Sequence, residues 1–252
     1  HTKKTKIAIC GYHGWHDWYL SANLNKKNNL ASHLLSDLKT RGVPKELKNT
    51  VFPFRYNNFD ELMKIIKTKL AGVFEIEMFP KTDDRGFFLR TFDNKTFEDG
   101  RIDRPWVQEN HSFTSKSGTI RGLHFQFHPF SETKLVRVSK GKIIDVILDL
   151  RLGSETFGKW YSTELSRKNN KCLFIPKGFA HGFCTLVDNC DVLYKVDNFY
   201  SSEHEGGVIW DDSTLNINWP TKNPIISPKD KKLISFDEFV AKYKGLQIGN
   251  SS

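Results

Sequence analysis

LVRVSKGKIIDVILDL, Leu135–Leu150, consists of two extended segments joined by a turn. Leu135–Ser139 leads into Lys140-Gly141, a dipeptide suited to reversing the chain. Ile143–Leu150 is mostly apolar and rich in β-branched residues, as a buried strand requires. Working outward, Trp160–Leu165, Cys172–Ile175, Gly182–Leu186 and Val192–Val196 repeat the pattern at a spacing of roughly ten residues, the rhythm of an all-β sandwich or barrel. The spacing predicts a mainly β domain built as a double-sheet jelly roll. A charged tail with an apolar stripe, from Pro228 to Tyr243, predicts a short closing helix.

The chain changes character near residue 72. Before it, Leu30, Leu34, Leu35 and Leu38 follow helical spacing, and Leu62, Ile65, Ile66 and Leu70 repeat it over Asp60–Leu70. A loop with Gly42, Pro44 and Pro53 separates the two. This divides the chain into an α-containing N-terminal appendage, residues 1–72, and a β domain, residues 73–252.

Composition narrows the functional classes. Of 252 residues, 38% are hydrophobic and 27% charged, which fits a soluble globular protein. No apolar run is long enough to predict a membrane span. The start, HTKKTKIAICGYHGWHDWY, has only Ile7–Cys10 as an apolar core, too little for a secretory signal. Cys10, Cys172, Cys184 and Cys190 form no CxxC pair, which favours reduced thiols in a cytoplasmic protein. The net charge of +9 is unevenly placed. Residues 1–72 hold 13 Lys/Arg against 5 Asp/Glu, and residues 73–252 hold 25 against 24. The basicity lies outside the β domain, so nucleic acid is not an expected partner, while a small anionic substrate needs only a few local cations.

Polar residues recur in the β domain where a strand pattern does not require them. They are Gln108 and Asn110 in VQENHS, Arg121 and His124 in RGLHFQ, Lys134 and Arg137 in KLVRV, and His181 in IPKGFAHGF, with Tyr194 and Tyr200 in YKVDNFY and Asp212 in WDD. Alternation along an extended segment puts Arg121 and Leu123 on one face and Gly122 and His124 on the other. A histidine facing the interior sits where its proton affinity can be tuned.

DDRGFF, VQENHS, RGLHFQ, KLVRVSKGKIIDVILDLR, SETFG with Trp160, IPKGFAHGF, YKVDNFY and WDDSTLNINWP come in this order from about Phe74 to about Asp237. In content and order they resemble the signature segments of the dTDP-4-dehydrorhamnose 3,5-epimerase family. The resemblance implies a cupin-type jelly roll, a homodimer, no cofactor, and a substrate joining a nucleoside diphosphate to a 4-keto-6-deoxy sugar. By motif, it implies that His124 is the general base and Asp230 of SPKD the carboxylate that orients it. Tyr194 is then the acid on the opposite face, and Lys134 stands beside the sugar ketone. Arg85 and Arg121 match diphosphate contacts, Gln108, Asn110 and His181 further pocket positions, and Tyr200 an aromatic near the nucleotide. The chemistry suits these types. A carbon flanking a ketone gives up a proton because the enolate places charge on oxygen; imidazole can accept that proton, and ammonium can stabilise the oxyanion. Each residue also has a plainer reading: a helix-cap aspartate for Asp230, a core aromatic for Tyr194, a surface lysine for Lys134.

Many cupins bind metal through histidines and a carboxylate, and His124, His128, Glu132 and His181 are the available set. The His-x-His pair is missing, because Gln126 occupies the second position, so no metal is expected. The run RGFFLRTF departs from the family in placing Arg90 where an acidic residue is usual, which bears on nucleotide or sugar preference. Single-site epimerisation, or a non-catalytic sugar-nucleotide-binding chimera, therefore stays open beside epimerisation at C3 and C5.

KIAICGYHGWHDWYLSANL, HLLSDLKTRGVPKELKNT and VFPFRYNNFDEL resemble an interior stretch of a class III pyridoxal-phosphate-dependent aminotransferase, with Tyr12 at the cofactor-stacking position. The resemblance reaches almost to His1 and lacks the catalytic-lysine region. It implies a fragment or fusion that begins upstream, without transaminase activity or cofactor binding. With the appendage joined here, Val73–Phe79 is all that precedes DDRGFF, so an edge strand is expected to be missing or improvised.

Overall fold

The computed structural model describes residues 63–100 and 102–248, with short stretches of the first 62. The chain forms two compact units, His1–Leu62 and Met63–Ser252. In the first, β1 (Ile7–Cys10) runs parallel to β2 (Val51–Phe54). Pro53, read as part of a loop, lies within β2. The helix expected over Leu30–Leu38 and the aromatic Tyr12 lie outside the described residues.

The second unit runs through β3 (Met63–Lys67), β4 (Phe74–Met78), β5 (Lys81–Asp83), β6 (Gly86–Phe88), β7 (Gln108–Thr114), β8 (Ile120–Gln126) and β9 (Lys134–Lys140). It continues with β10 (Lys142–Asp149), β11 (Trp160–Ser166), β12 (Lys171–Ile175), β13 (Phe179–Thr185), β14 (Cys190–Val196) and β15 (Glu205–Gly207). Helix α1 spans Asn94–Asp99 and α2 spans Phe236–Tyr243. One sheet has the order β3-β4-β12-β9-β14-β7 and the other β11-β10-β13-β8-β15; β5 and β6 form a separate hairpin. Every pairing in this unit's sheets is antiparallel. This is the expected two-sheet jelly roll, with strands where the ten-residue rhythm put them.

The opening stretch shows why. The Lys140-Gly141 turn joins β9 in the six-stranded sheet to β10 in the five-stranded one, with Gly141 at φ 84°. Ile143 and Ile147 on β10 pack with Val136, Val138, Leu173 and Val192 between the sheets. Val146 and Leu148 face the other way and pack with Phe236 and Phe239 of α2. Burial on both faces accounts for the near-continuous apolar run. The closing helix lies where the tail predicted it. Ser235 caps it with Glu238 in a capping box, and Asp212 Oδ2 accepts from Phe236 N at 2.7 Å. Asp212 also accepts from the N–H groups of Thr214 and Leu215, so its role is to fix this corner.

The helix expected over Asp60–Leu70 is corrected: β3 is a strand, pairing Met63 with Met78, Ile65 with Ile76 and Lys67 with Phe74. Leu62, Ile65, Ile66 and Leu70 fit helical spacing, but β-branched Ile65 and Ile66 suit a strand equally, and a ready partner edge on β4 decides the matter. Gly72, at φ 83°, and the Thr68 hydroxyl, bonded to the carbonyls of Leu70 and Val73, close the hairpin. The edge strand expected to be missing or improvised is supplied by residues 63–67, and Lys64 and Lys67 keep that edge exposed and charged. The compact units accordingly divide before Met63 rather than at residue 72.

Candidate active site

A cleft opens where β7, β8, β9 and β14 converge, and His124, Lys134 and Tyr194 line it along its length. On one side it runs past Gln108, Asn110 and Tyr200; on the other past Arg121, His181 and Asp230. Nine of the ten candidate residues thus line two adjoining cavities that share His124, Lys134 and Tyr194.

The register explains the convergence. Tyr194 on β14 lies opposite Asn110 on β7 and Val136 on β9, while Val196 lies opposite Lys134, so Tyr194 and Lys134 project to one face. His124 on β8 lies opposite His181 on β13. Simple alternation put Arg121 on the face away from His124, and this is corrected: both line the cleft. The β8–β13 ladder shifts register between His181 and Phe183, and Gly122 sits at φ 108°. A Cβ at Gly122 would meet the His181 carbonyl at 2.6 Å. Glycine allows both the conformation and the close approach.

His124 Nε2 lies 2.8 Å from Asp230 Oδ1, and Asp230 Oδ2 accepts from Gly122 N at 3.1 Å. The Ser227 hydroxyl accepts from Asp230 N at 3.0 Å, fixing the short turn Asp230–Lys232. A carboxylate can only accept, so Nε2 carries the proton and Nδ1 of the neutral ring is left basic. Burial pushes the Asp230 carboxyl up, but the hydrogen bond and charge of His124, with the Gly122 N–H, outweigh it and hold it below the ordinary 3.8. A depressed carboxyl adds stability that is present above the unfolded value and lost as pH falls through the folded one. Asp230→Asn is therefore expected to melt lower than the parent near neutral pH and to show a shallower acid loss below about pH 4. Thermal melts between neutral and acid pH check this; parallel acid limbs would count against it.

His181 Nε2 lies 2.6 Å from Oδ1 of fully buried Asp145. Arg121 Nε donates to Thr114 Oγ1 at 3.1 Å and its Nη2 to the Phe113 carbonyl at 3.1 Å, which spreads the guanidinium along the cleft wall. Burial, then the charge of Glu132, pushes the Tyr194 phenol above its ordinary range, with Arg121 opposing. Gln108 Oε1 accepts from Tyr200 N at 2.9 Å, and the Tyr200 hydroxyl donates to Glu205 Oε2 at 2.8 Å, which raises that phenol too.

Arg85 does not line this cleft. It stands on the β5–β6 hairpin, its side chain 90% exposed and paired with Asp83 at 2.6 Å. Arg90, the departure noted in the sequence, donates to Asp93 Oδ2 at 2.8 Å, and Asp93 caps α1. Among the described residues no group of three His, Cys, Asp or Glu is placed to hold a metal ion. Four cleft residues escaped the sequence reading in this role: Gln126, Glu132, Glu205 and Lys229. Gln126 was accessible, since it follows His124 by two and shares its face. Glu205, which accepts from Lys229 Nζ at 2.6 Å, gave no signal.

A two-sheet β fold holding a histidine–carboxylate pair, a half-buried phenol and an ammonium in one cleft defines an acid–base enzyme of the jelly-roll class. The model of the dTDP-4-dehydrorhamnose 3,5-epimerase family matches residues 67–238, and the chain belongs to that family. It is 44% identical to the dTDP-4-dehydrorhamnose 3,5-epimerase of Shigella flexneri over 183 residues, covering 71% of this chain and all of that one. The crystal structure of the Bacillus anthracis enzyme with TDP and PPi bound matches at 47% identity and a TM-score of 0.68, covering 69% of this chain and 99% of that one. The Legionella pneumophila enzyme in complex with dTDP-4-keto-L-rhamnose matches at 40% identity and a TM-score of 0.67, covering 69% and 93%.

Proposed function

We propose that this chain is an isomerase that epimerises C3 and C5 of a dTDP-linked 4-keto-6-deoxyhexose, without a cofactor. The observation that carries this reading is the His124–Asp230 pair facing Tyr194 and Lys134 across one cleft. Nδ1 of His124 takes the proton from the carbon beside the ketone. Negative charge moves to the ketone oxygen, where the Lys134 ammonium stabilises it. The Tyr194 phenol returns a proton to the opposite face, which inverts the centre. Asp230 holds the imidazole tautomer and supports the cation that forms, as in triads. Arg121 fits a diphosphate oxygen, and Gln108, Asn110, His181 and Tyr200 bound the sugar and nucleotide.

Arg85 joins this scheme through the homodimer. Its hairpin exposes Phe87 and Phe88, an apolar face for a second copy to cover. A guanidinium carried there serves the partner's cleft rather than its own. The enzyme is cytoplasmic in this reading, and among the described residues no helix is long and apolar enough to cross a membrane. The chemistry belongs to the second unit, Met63–Ser252, and the aminotransferase-like residues before it contribute none.

The test is turnover of dTDP-4-dehydro-6-deoxyglucose in deuterated water, followed by proton NMR. Deuterium is expected at both C3 and C5. Label at one carbon would make the chain a single-site epimerase; binding of the nucleotide sugar without any label would make it a non-catalytic binder.

A further inference from the structure

Glu132 ends the loop from β8 to β9, two residues before Lys134, and lines the cleft beside it. Its Oε1 lies 3.2 Å from Lys134 Nζ, the two side chains being 12% and 11% exposed. Its Oε2 accepts from Gln126 Nε2 at 3.1 Å. Gln126 is itself fixed on every side. Its Nε2 also reaches the carbonyls of Phe130 and Phe199, and its Oε1 accepts from Ser201 N at 2.6 Å. Both loops that flank this end of the cleft are thereby tied to one amide, and Glu132 is aimed at Lys134 from that anchor.

A nearly buried carboxylate is costly, and its attraction to one ammonium does not repay the desolvation as a matter of course. Here it also faces a cleft that receives an anionic substrate and develops an enolate. A neutral glutamine would fill the same space without these costs. What the negative charge supplies is an oriented lysine and a phenol that keeps its proton.

We propose, on the epimerase reading above, that Glu132 is a positioning residue for proton transfer, holding the Lys134 ammonium at the site where the enolate oxygen forms. A lysine stem carries four rotatable bonds, and an untethered ammonium would lose orientation at the moment the oxyanion needs it. Glu132 does not touch the reacting carbons; it acts through Lys134, and through its field on Tyr194. Tyr194 shares the cleft with His124 and Arg121 of β8, Lys134 of β9, His181 of β13, Glu205 of β15, and Lys229 and Asp230 beyond it. Of these, Glu205 raises the phenol as Glu132 does, and Arg121 lowers it. Loss of Glu132 leaves the cationic groups less opposed.

The experiment compares the parent, Glu132→Gln and Glu132→Asp in the deuterium-exchange assay across neutral to alkaline pH, with thermal melts alongside. The parent must first exchange solvent deuterium; if it does not, the epimerase reading fails and Glu132 is not the reason. Given an active parent, Glu132→Gln is expected to lose about 10- to 100-fold in kcat with KM within about twofold, on the scale of disturbing one preorganised donor. Its alkaline limb is expected to move to lower pH, because the Tyr194 phenol loses an anion that favours its protonated form. Glu132→Asp is expected to keep the parent limb. Parent-like kcat in Glu132→Gln would overturn the proposal, as would a loss that tracks a lowered melting temperature with an unmoved alkaline limb.

Discussion

His124→Ala is expected to lower deuterium incorporation at C3 and C5 together by about 10²- to 10⁴-fold, the range of a positioned general base. Both carbons flank one ketone, and His124 is the imidazole whose Nε2 is committed to Asp230, leaving Nδ1 to work. The fold should survive. His124 is 28% exposed in its side chain, and Asp230 keeps the Gly122 N–H. Leaving Asp230 with one partner fewer costs about 1–3 kcal/mol, which melts will show as a modest decrease. Calorimetry with the nucleotide sugar should therefore give near-parent affinity beside the lost exchange. Parent-like exchange in His124→Ala would remove His124 as the base. It would transfer the role to His181, which lies opposite it on β13 and is backed by buried Asp145.

The β architecture was legible because its evidence is local and repeated. A strand with both faces buried, such as β10, writes an apolar run, and Lys140-Gly141 writes a turn. The helix error over Asp60–Leu70 came from a place where local spacing fits two structures and a partner strand chooses. β4 lies across a hairpin, and the apolar spacing within Asp60–Leu70 does not itself record that pairing. The site was legible in a different way. His124, Tyr194 and Lys134 were picked out by motif resemblance, while the register of β9 and β14 brings Lys134 and Tyr194 to one face and β8 of the other sheet carries His124 into the same cleft. Arg121 was misassigned to the far face because alternation assumes a regular ladder, and the shift opposite Gly122 is not written in a period of two. Glu205 and Lys229 stayed invisible because they matter only as a pair formed between β15 and a turn 24 residues later. Gln126 hid behind its neighbour's motif.

Tyr194→Phe is expected to separate exchange from inversion, which no other single change in the cleft should do. Phenylalanine keeps the ring packed between β7 and β9, so stability should hold within about 1 kcal/mol. His124 retains its carboxylate partner and Lys134 its ammonium, so the proton can still leave carbon and the enolate can still form. What is lost is the donor on the opposite face. Deuterium then returns from the His124 side with retention, and labelled starting sugar builds up while epimerised product falls by about 10²- to 10⁴-fold. The parent's dependence on a protonated phenol has the same origin. Burial and the Glu132 charge raise Tyr194, so the donor keeps its proton through neutral pH, and inversion should fail only as alkaline pH removes it. In Tyr194→Phe that alkaline loss of inversion should vanish along with the inversion itself. Proton NMR distinguishes the outcomes through the ratio of label in unconverted sugar to label in product. If exchange and inversion fall by the same factor, Tyr194 acts on the ketone oxygen with Lys134 rather than on carbon, and the proton for the second face must come from another group in the cleft.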